Sequence, residues 1–311
     1  MKLLPAILLL SLSVLLAGCG PTKPMPPAGG SHFLWKVSDG ESHVWILGSI
    51  HFADSSFYPL PSMITKAFAE SEELAVEINV SDDSVSSAIT ENSINKGMLP
   101  DDERLPEKIS PETWRKLDSL CAVWNFPSSM LLKLRPWFAA MTLSAVAIQR
   151  SGIDPSLGVD AVLLDSAAMR GMPIVGLETA EEQVGALADT SDGDSLGIYY
   201  LESTLREISE LDSMVARITR AWKTGDDSLM VQVLKSSSQN SEKATARDSL
   251  FQKESEDRIY KTRNQKMAQG IGQFIKEKRK VFVVVGAAHL VLDETNVIEL
   301  LRREGFKVER F

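Results

Sequence analysis

Two apolar runs that end in Gly-x-x-His constrain the fold of this chain more than any other feature. Val44–Leu47 leads into Gly48 and His51, and Val281–Val285 leads into Gly286 and His289. Short runs rich in β-branched residues and closed by glycine are typical of buried strands. The chain has only 4 histidines, and two of them follow strands at the same offset. This repetition predicts that both imidazoles belong to one site at the edge of a sheet.

The remaining periodicity predicts how such a sheet is built. Phe33–Val37 and Val44–Leu47 flank Asp39-Gly40, which indicates a β-hairpin. A helix after Pro61 and a strand over Leu74–Val80 then complete a βαβ unit, which predicts parallel pairing. Further strands are expected over 172–179 and 306–310, and residues 81–279 are otherwise helical. We therefore predict an α/β (α+β) fold with a central mixed, partly parallel sheet and a large helical insertion.

Carboxylates accompany the two histidines at the predicted strand ends. Glu178 closes the strand over 172–179, and Glu77 lies inside the strand over 74–80. Ligands of parallel α/β sheets bind outside the carboxyl ends of the strands. A carboxylate flanked by apolar residues also requires a cationic partner or a metal. Glu77 and Glu178 are therefore interpreted either as site residues or as members of a structural ion pair.

The donor types at these positions suit a divalent transition metal. Two neutral imidazoles and one or two carboxylates form a ligand set for Zn, Mn, Co or Fe. A single G-x-x-H pattern is weak evidence, and either histidine alone is more often a hydrogen-bonded residue at the rim of a sheet. Two copies at strand ends favour a shared metal site.

The amino terminus indicates export and lipidation. Residues 1–18 form a secretory signal that is too short to span a membrane, and Leu16-Ala17-Gly18-Cys19 resembles a bacterial lipobox. The resemblance implies cleavage before Cys19 and lipidation of its thiol, although an ordinary signal peptide with an incidental cysteine remains an alternative. Gly20 after the cysteine favours the periplasmic face of the outer membrane. Residues 19–31 are rich in Pro and Gly and are interpreted as a tether, and residues 32–311 as a single domain.

Composition and motifs give little support to several function classes. The net charge is −9, and no basic patch with interleaved aromatic residues is present, which argues against nucleic-acid binding. The sequence contains no G-x-S-x-G, H-E-x-x-H or P-loop motif. Cys121 is expected to be a small buried hydrophobe rather than a nucleophile.

Taken in order, several segments resemble the TraB/GumN (TraB/PrgY/GumN) family, which is related to the Tiki metalloproteases. The matching segments are Trp45–His51, Phe57–Pro61, Ala75–Glu77, Arg135–Trp137, Gly158–Asp160, Gly176–Thr179 with Gln183, Arg263-Asn264 with Met267, and Val284–Leu290. The resemblance implies a hydrolase that depends on a divalent metal, with Mn or Co favoured and Zn as an alternative. Carried over by residue, it implies a site of His51, His289 and Glu77, with Arg263 as an electrophilic or orienting residue. Ala288, Leu292 and Asn296 depart from the family's glycines around the second histidine, so the loop there is expected to differ in shape.

These observations lead to one main hypothesis and one rival. The main hypothesis is a lipid-anchored metal-dependent hydrolase of the bacterial cell envelope that acts on peptides or proteins. Glu77 or Glu178 is its expected general base, and Arg263 is expected to stabilise the developing oxyanion. The rival is a non-catalytic lipoprotein of the same fold that binds haem or a peptide, with a rim histidine as an iron ligand.

Overall fold

The computed structural model describes residues 32–191, 193–239 and 246–311. The predicted signal peptide, the lipidation residue Cys19 and the tether that ends at Ser31 lie outside the described residues. The division of the chain into signal, tether and single domain therefore stays a prediction. Within the described residues, no helix combines the length and the apolar character needed to cross a bilayer.

The described chain is built around a six-stranded mixed sheet, which confirms the predicted fold class. The strands are β1 (Leu34–Ser38), β2 (His43–Ser49), β3 (Glu73–Val76), β4 (Ile174–Gly176), β5 (Val281–Gly286) and β6 (Lys307–Arg310). Their order across the sheet is β4-β3-β5-β2-β1-β6. The four strands β4, β3, β5 and β2 run parallel to one another, whereas β1 is antiparallel to both of its neighbours, β2 and β6.

The strand order corrects one expectation. The predicted hairpin of β1 and β2 is present, with Val37 opposite Val44. The two strands of the βαβ unit run parallel as predicted, but they do not pair with each other, because β5 lies between β2 and β3 and pairs with both in parallel. All six residues of β5 are buried, as expected for a strand covered on both faces. A strand from near the end of the chain is therefore the centre of the sheet.

Helices cover the sheet and form most of the chain between β3 and β5. They are α1 (Ser62–Glu70), α2 (Asp83–Gly97), α3 (Leu105–Lys108), α4 (Pro111–Val123), α5 (Pro136–Arg150), α6 (Val159–Met169), α7 (Ala180–Leu187), α8 (Ser195–Glu207), α9 (Leu211–Thr224), α10 (Asp227–Gln239), α11 (Ala246–Glu256), α12 (Thr262–Lys276), α13 (Ala288–Val291) and α14 (Val297–Arg303). A π-helical turn, Asp257–Lys261, joins α11 to α12. The α1 helix packs against β2, α6 against β3, and α12 against β2 and α14.

The buried side chains define the core and confirm one further expectation about it, that for Cys121. The helix α5 buries most of its residues, among them Trp137 and Phe138, and packs on α8. Cys121 is only 1% exposed, and burial raises the pKa of its thiol to about 11. A buried thiol with a raised pKa is unreactive, so Cys121 acts as a core residue.

Candidate functional site

The parallel strands place four predicted site residues along one edge of the sheet. Because β4, β3, β5 and β2 are adjacent and parallel, their carboxyl ends lie side by side. The residues that follow these ends are Glu178, Glu77, His289 and His51, in the order of the strands across the sheet. All four are buried. Neighbours along this edge are thus far apart in sequence, and the sheet brings them together.

His51 is held by the start of α6. The backbone N–H of Val159 donates to the carbonyl of Ile50 over 3.0 Å. Gly158 makes this approach feasible, because a Cβ atom at that position would lie 2.7 Å from the His51 carbonyl oxygen. At the start of α6, Asp160 places Oδ2 2.8 Å from His51 Nδ1. This pairing of imidazole and carboxylate fixes the orientation of the ring.

The contact with Asp160 also determines the charge of His51 in the protein without a bound cation. Burial disfavours the imidazolium, but the carboxylates of Asp160 and Glu77 outweigh burial and raise the pKa of His51 to about 9. The ring is therefore protonated at neutral pH, and a cation that binds to it displaces a proton. His51 Nε2 is buried and has no hydrogen-bond partner among the described residues.

His289 has the opposite electrostatic character. It lies in α13, a single short turn directly after β5, and its Nδ1 is 2.6 Å from Asn264 Oδ1. The amide nitrogen of Asn264 donates to the carbonyl of Thr295, so Oδ1 is the atom that faces the imidazole and accepts its proton. Burial lowers the pKa of His289 to about 3 against the attraction of Glu77. The imidazole is therefore neutral at neutral pH, and its unprotonated Nε2 lies 3.8 Å from Glu77 Oε1.

Glu77 lies just beyond β3, rather than within the strand as predicted, because the chain bends after Val76. Its Oε1 accepts a hydrogen bond from the Gly286 N–H over 2.6 Å, and its Oε2 accepts one from Arg263 Nη2 over 2.7 Å. Burial raises the pKa of Glu77, but His289, Arg263, His51 and the Gly286 N–H lower it to about 2. Since His289 is neutral at neutral pH, the positive charges that keep Glu77 ionised there belong to Arg263 and His51.

Arg263 joins the two predicted carboxylates. At the start of α12, its Nε and Nη2 donate to Oε1 and Oε2 of Glu178 over 2.7 Å and 2.6 Å, and Nη2 also reaches Glu77. A two-point contact of this kind is among the strongest between side chains. Burial raises the pKa of Glu178, and the hydrogen bonds from Arg263 oppose this effect. Glu77 and Glu178 therefore share one buried cation.

A cavity of about 930 Å³ opens beside this network. Its lining includes Ser49, His51, Glu77 and Asp160. The hydroxyl of Ser49, like His51 Nε2, is buried without a hydrogen-bond partner in the described part of the chain. The cavity therefore gives a ligand access to the imidazole edge of His51 and to the Glu77 carboxylate.

The donor types at this edge fit a divalent cation, although they do not converge in this arrangement. Both histidines turn Nδ1 toward an oxygen acceptor, which leaves Nε2 for a ligand, as metal-binding histidines usually do. Glu77 supplies an oxygen donor near His289. Nevertheless, residues 32–191, 193–239 and 246–311 contain no group of three or more His, Cys, Asp or Glu side chains arranged to hold a metal ion. Arg263 and the Gly286 N–H occupy the two oxygens of Glu77 instead.

The structure thus brings together all five residues predicted for the site: His51, Glu77, Glu178, Arg263 and His289. Sequence reasoning gave no role to the residues that orient the two imidazoles. Asp160 and Asn264 are within the segments that carry the family resemblance, and a polar residue near the start of a helix is ordinarily interpreted as a contribution to helix stability. The ring of Tyr260, in the π-helical turn, packs edge-on at 5.4 Å from the His289 ring and was also missed. Such turns inside helices are frequent at functional sites.

Two histidines and a carboxylate–arginine network at the ends of adjacent parallel strands define a class of α/β protein with a buried polar site. The sequence profile of the TraB/PrgY/gumN family matches residues 33–310, so the chain belongs to this family. The predicted recognition is confirmed, including its relation to the Tiki proteins.

The individual relatives share only a minority of their residues with this chain. The chain is 30% identical over 180 residues to "Uncharacterized protein YbaP" of Escherichia coli K12, an alignment that covers 57% of this chain and 64% of the relative. It is 25% identical over 338 residues to "Metalloprotease TIKI1" of Danio rerio, which covers 94% of this chain and 65% of the relative. The chain thus spans slightly less than two thirds of the length of these relatives. No solved structure was found to match it.

Proposed function

We propose that this protein is a hydrolase that depends on a divalent metal and cleaves peptide bonds. The observation that carries the proposal is the matched orientation of the two imidazoles. His51 and His289 each engage an oxygen acceptor through Nδ1, and the buried carboxylate of Glu77 lies beside them. The relative named a metalloprotease supports the same reaction class.

In this proposal, His51 and His289 would hold the cation through Nε2, with Glu77 as a third donor. Such a cation polarises a carbonyl group and lowers the pKa of water. Mn or Co is the proposed metal, and Zn is the alternative, because imidazole and carboxylate ligands suit all three.

The other residues position these groups. Asp160 and Asn264 orient the two imidazoles, and Arg263 keeps Glu77 ionised. Both oxygens of Glu77 and of Glu178 accept hydrogen bonds, but Glu77 lines the cavity and Glu178 does not. We therefore assign Glu178 to positioning and the proton-accepting role to Glu77. Most N–H groups of Arg263 are also committed to Glu77, Glu178 and the Ile259 carbonyl, which favours its orienting role over oxyanion stabilisation.

The amino-terminal sequence supports a location for this activity. We propose that Cys19 is lipidated and tethers the domain to a membrane of the bacterial cell envelope, on the periplasmic face of the outer membrane. Replacement of Cys19 by Ser should abolish incorporation of a labelled fatty acid and release the protein from the membrane fraction. Incorporation that persists in the variant would refute this anchor.

A direct test compares histidine variants of the full chain, purified in detergent without a polyhistidine tag. After removal of metals and addition of Mn or Co, the wild type should cleave members of a peptide library, and His51→Ala and His289→Ala should lose both cleavage and bound metal. His43→Ala is the matched control, because His43 begins β2 at the end of the strand opposite to His51. Equal cleavage by the wild type and His51→Ala would refute the proposal. Without cleavage, a Soret band on haem titration that vanishes in His51→Ala would favour the rival function.

A further inference from the structure

The cavity beside His51 carries an excess of negative charge. Asp83 and Glu91 of α2 and Asp165 of α6 contribute to its lining, and all three are exposed. None of the three forms an ion pair with another described residue, in contrast to Glu77, which is bound by Arg263. In the part of the chain that the structure describes, no Lys or Arg lines this cavity. A cationic ligand would therefore meet unopposed carboxylates on both helices.

A second, independent observation indicates that this cavity receives a ligand. Ser49 and His51 are 2% and 5% exposed, and both line the cavity. The Ser49 hydroxyl and His51 Nε2 have no hydrogen-bond partner among the described residues. Buried polar atoms in folded proteins are almost always hydrogen-bonded. The proposed function assigns His51 Nε2 to the cation, so the Ser49 hydroxyl is the atom that indicates a position where a polar group of a peptide binds.

The dimensions of the acidic wall favour a ligand that is longer than a single amino acid. Asp83 and Glu91 are about two turns apart on α2, which is roughly 12 Å along the helix axis. An extended peptide advances about 3.3 Å per residue, so it would pass three or four residues over this distance. The cavity wall is also partly apolar, with Val80, Ile94 and Leu164 among its residues. An extended peptide with both basic and apolar side chains matches this surface.

We propose that the cavity selects extended peptide segments that carry Lys or Arg side chains, which Asp83, Glu91 and Asp165 bind. This inference rests on the proposed function in one respect, since it takes the cavity beside His51 as the substrate site. It goes beyond that function because it names the charge of the preferred substrate. It does not require that cleavage takes place.

The test measures binding rather than turnover. The full chain, treated with a chelator so that cleavage does not interfere, is titrated into a fluorescein-labelled peptide of Lys, Leu and Ser residues, and anisotropy is recorded at low ionic strength. A second peptide of the same length has Gln in place of every Lys. The variant Asp83→Asn/Glu91→Gln/Asp165→Asn removes the three charges without a large change in shape.

A matched control removes three exposed carboxylates away from the cavity. Asp102→Asn/Asp212→Asn/Glu304→Gln changes the net charge by the same amount, and Asp212, like Asp83, lies in the first turn of a helix. None of the three control residues lines the cavity. Circular dichroism and thermal unfolding establish that both triple variants are folded before binding is compared.

The wild type and the control variant should bind the Lys peptide about tenfold more tightly than the Gln peptide, as expected from three weak, exposed ion pairs. The cavity variant should lose this preference, and added salt should reduce it in the wild type. Equal binding of both peptides by the wild type, an equal loss of preference in the two triple variants, or no binding of either peptide would overturn the inference.

Cleavage assays keep this inference separable from the proposed function. Metal-dependent cleavage of the Lys and Gln peptides at equal rates, with equal binding, would overturn the charge preference alone. Preferential binding of the Lys peptide without metal-dependent cleavage of any peptide would overturn the hydrolase and leave the preference intact.

Discussion

Replacement of Arg263 by Met should destabilise the metal-free protein strongly, and the loss should depend on pH. Arg263 is 4% exposed, and its two carboxylate partners, Glu77 and Glu178, are 5% and 7% exposed. Removal of the cation leaves Glu178 without its charged partner, and leaves Glu77 with only the Gly286 N–H and the charge of His51. We expect a loss of about 3–5 kcal/mol in the free energy of unfolding at neutral pH.

The pKa of Glu77 reflects the same network, because His289, Arg263, His51 and the Gly286 N–H together lower it against the effect of burial. The folded protein lowers that pKa from 4.5 to about 2, which corresponds to roughly 3 kcal/mol of stability at neutral pH. Because the folded pKa is the lower one, this contribution is present above pH 4.5 and is lost as the pH falls toward 2. In Arg263→Met the remaining carboxylates bind a proton more readily, so the difference from the wild type should narrow as the pH falls below 4.5.

Both effects can be measured by urea unfolding at pH 7 and at pH 4 in the presence of a chelator. Tryptophan fluorescence monitors the unfolding. The matched control is Arg279→Met, which removes an arginine from the partly exposed pair with Glu73 and should cost less than about 1 kcal/mol. The triple variant Glu77→Gln/Glu178→Gln/Arg263→Met should recover much of the lost free energy of unfolding, since none of these three positions then carries a charge. A loss of under about 1 kcal/mol at pH 7, or an equal loss at both pH values, would refute the electrostatic account.

Three further predictions address the support of the site. Gly158→Ala should lower the stability by about 1–3 kcal/mol and impair any activity, because its Cβ would meet the His51 carbonyl oxygen at 2.7 Å. The control Gly185→Ala has only a lysine nitrogen at 3.8 Å and should be neutral or stabilising in thermal unfolding; equal losses in the two variants would contradict the steric argument. Asp160→Asn should alter the pH dependence of unfolding in the metal-free protein. The raised pKa of His51 gives the wild type stability that is complete below pH 6.5 and is lost as the pH rises through about 9, whereas the variant should lack this decline; an unchanged profile would exclude the pairing. Glu207→Gln should stabilise the protein more at pH 9 than at pH 5, by roughly 1–3 kcal/mol. Burial raises the pKa of this carboxyl from 4.5 to about 8, so the wild type loses stability as the pH rises from 4.5 to about 8; a stabilisation that is equal at both pH values would contradict it.

Local patterns in the sequence were sufficient to predict the individual strands and the positions of the two histidines. The runs before His51 and His289 are apolar because β2 and β5 are buried in the sheet, and burial is what periodicity reports. The predicted hairpin follows from the turn residues between β1 and β2. The resemblance to the family added Arg263, which lies on a helix and carries no strand signal.

Other features depend on contacts that no local pattern encodes. The insertion of β5 between β2 and β3 is a pairing between distant segments, and the strand over 74–80 looks the same whichever neighbour it has. The roles of Asp160 and Asn264 follow from the imidazoles that face them, since each residue alone resembles an ordinary polar residue at the start of a helix. The binding of both Glu77 and Glu178 by Arg263 likewise cannot be predicted locally, because these residues are distant in sequence and meet only in the folded chain.

The central position of β5 also determines when the protein can acquire its site during biosynthesis. Strand β2 emerges from the ribosome among the first elements, but its inner edge stays unpaired until β5, about 230 residues later, is available. Long-range parallel pairing of this kind folds slowly and exposes strand edges that aggregate. Until β5 is available, the β2 edge of the unfinished chain is therefore open to pairing with other strands. A nascent chain that stops before β5 holds His51 and Glu77 but has no central strand to join them, so premature termination yields a misassembled product without His289.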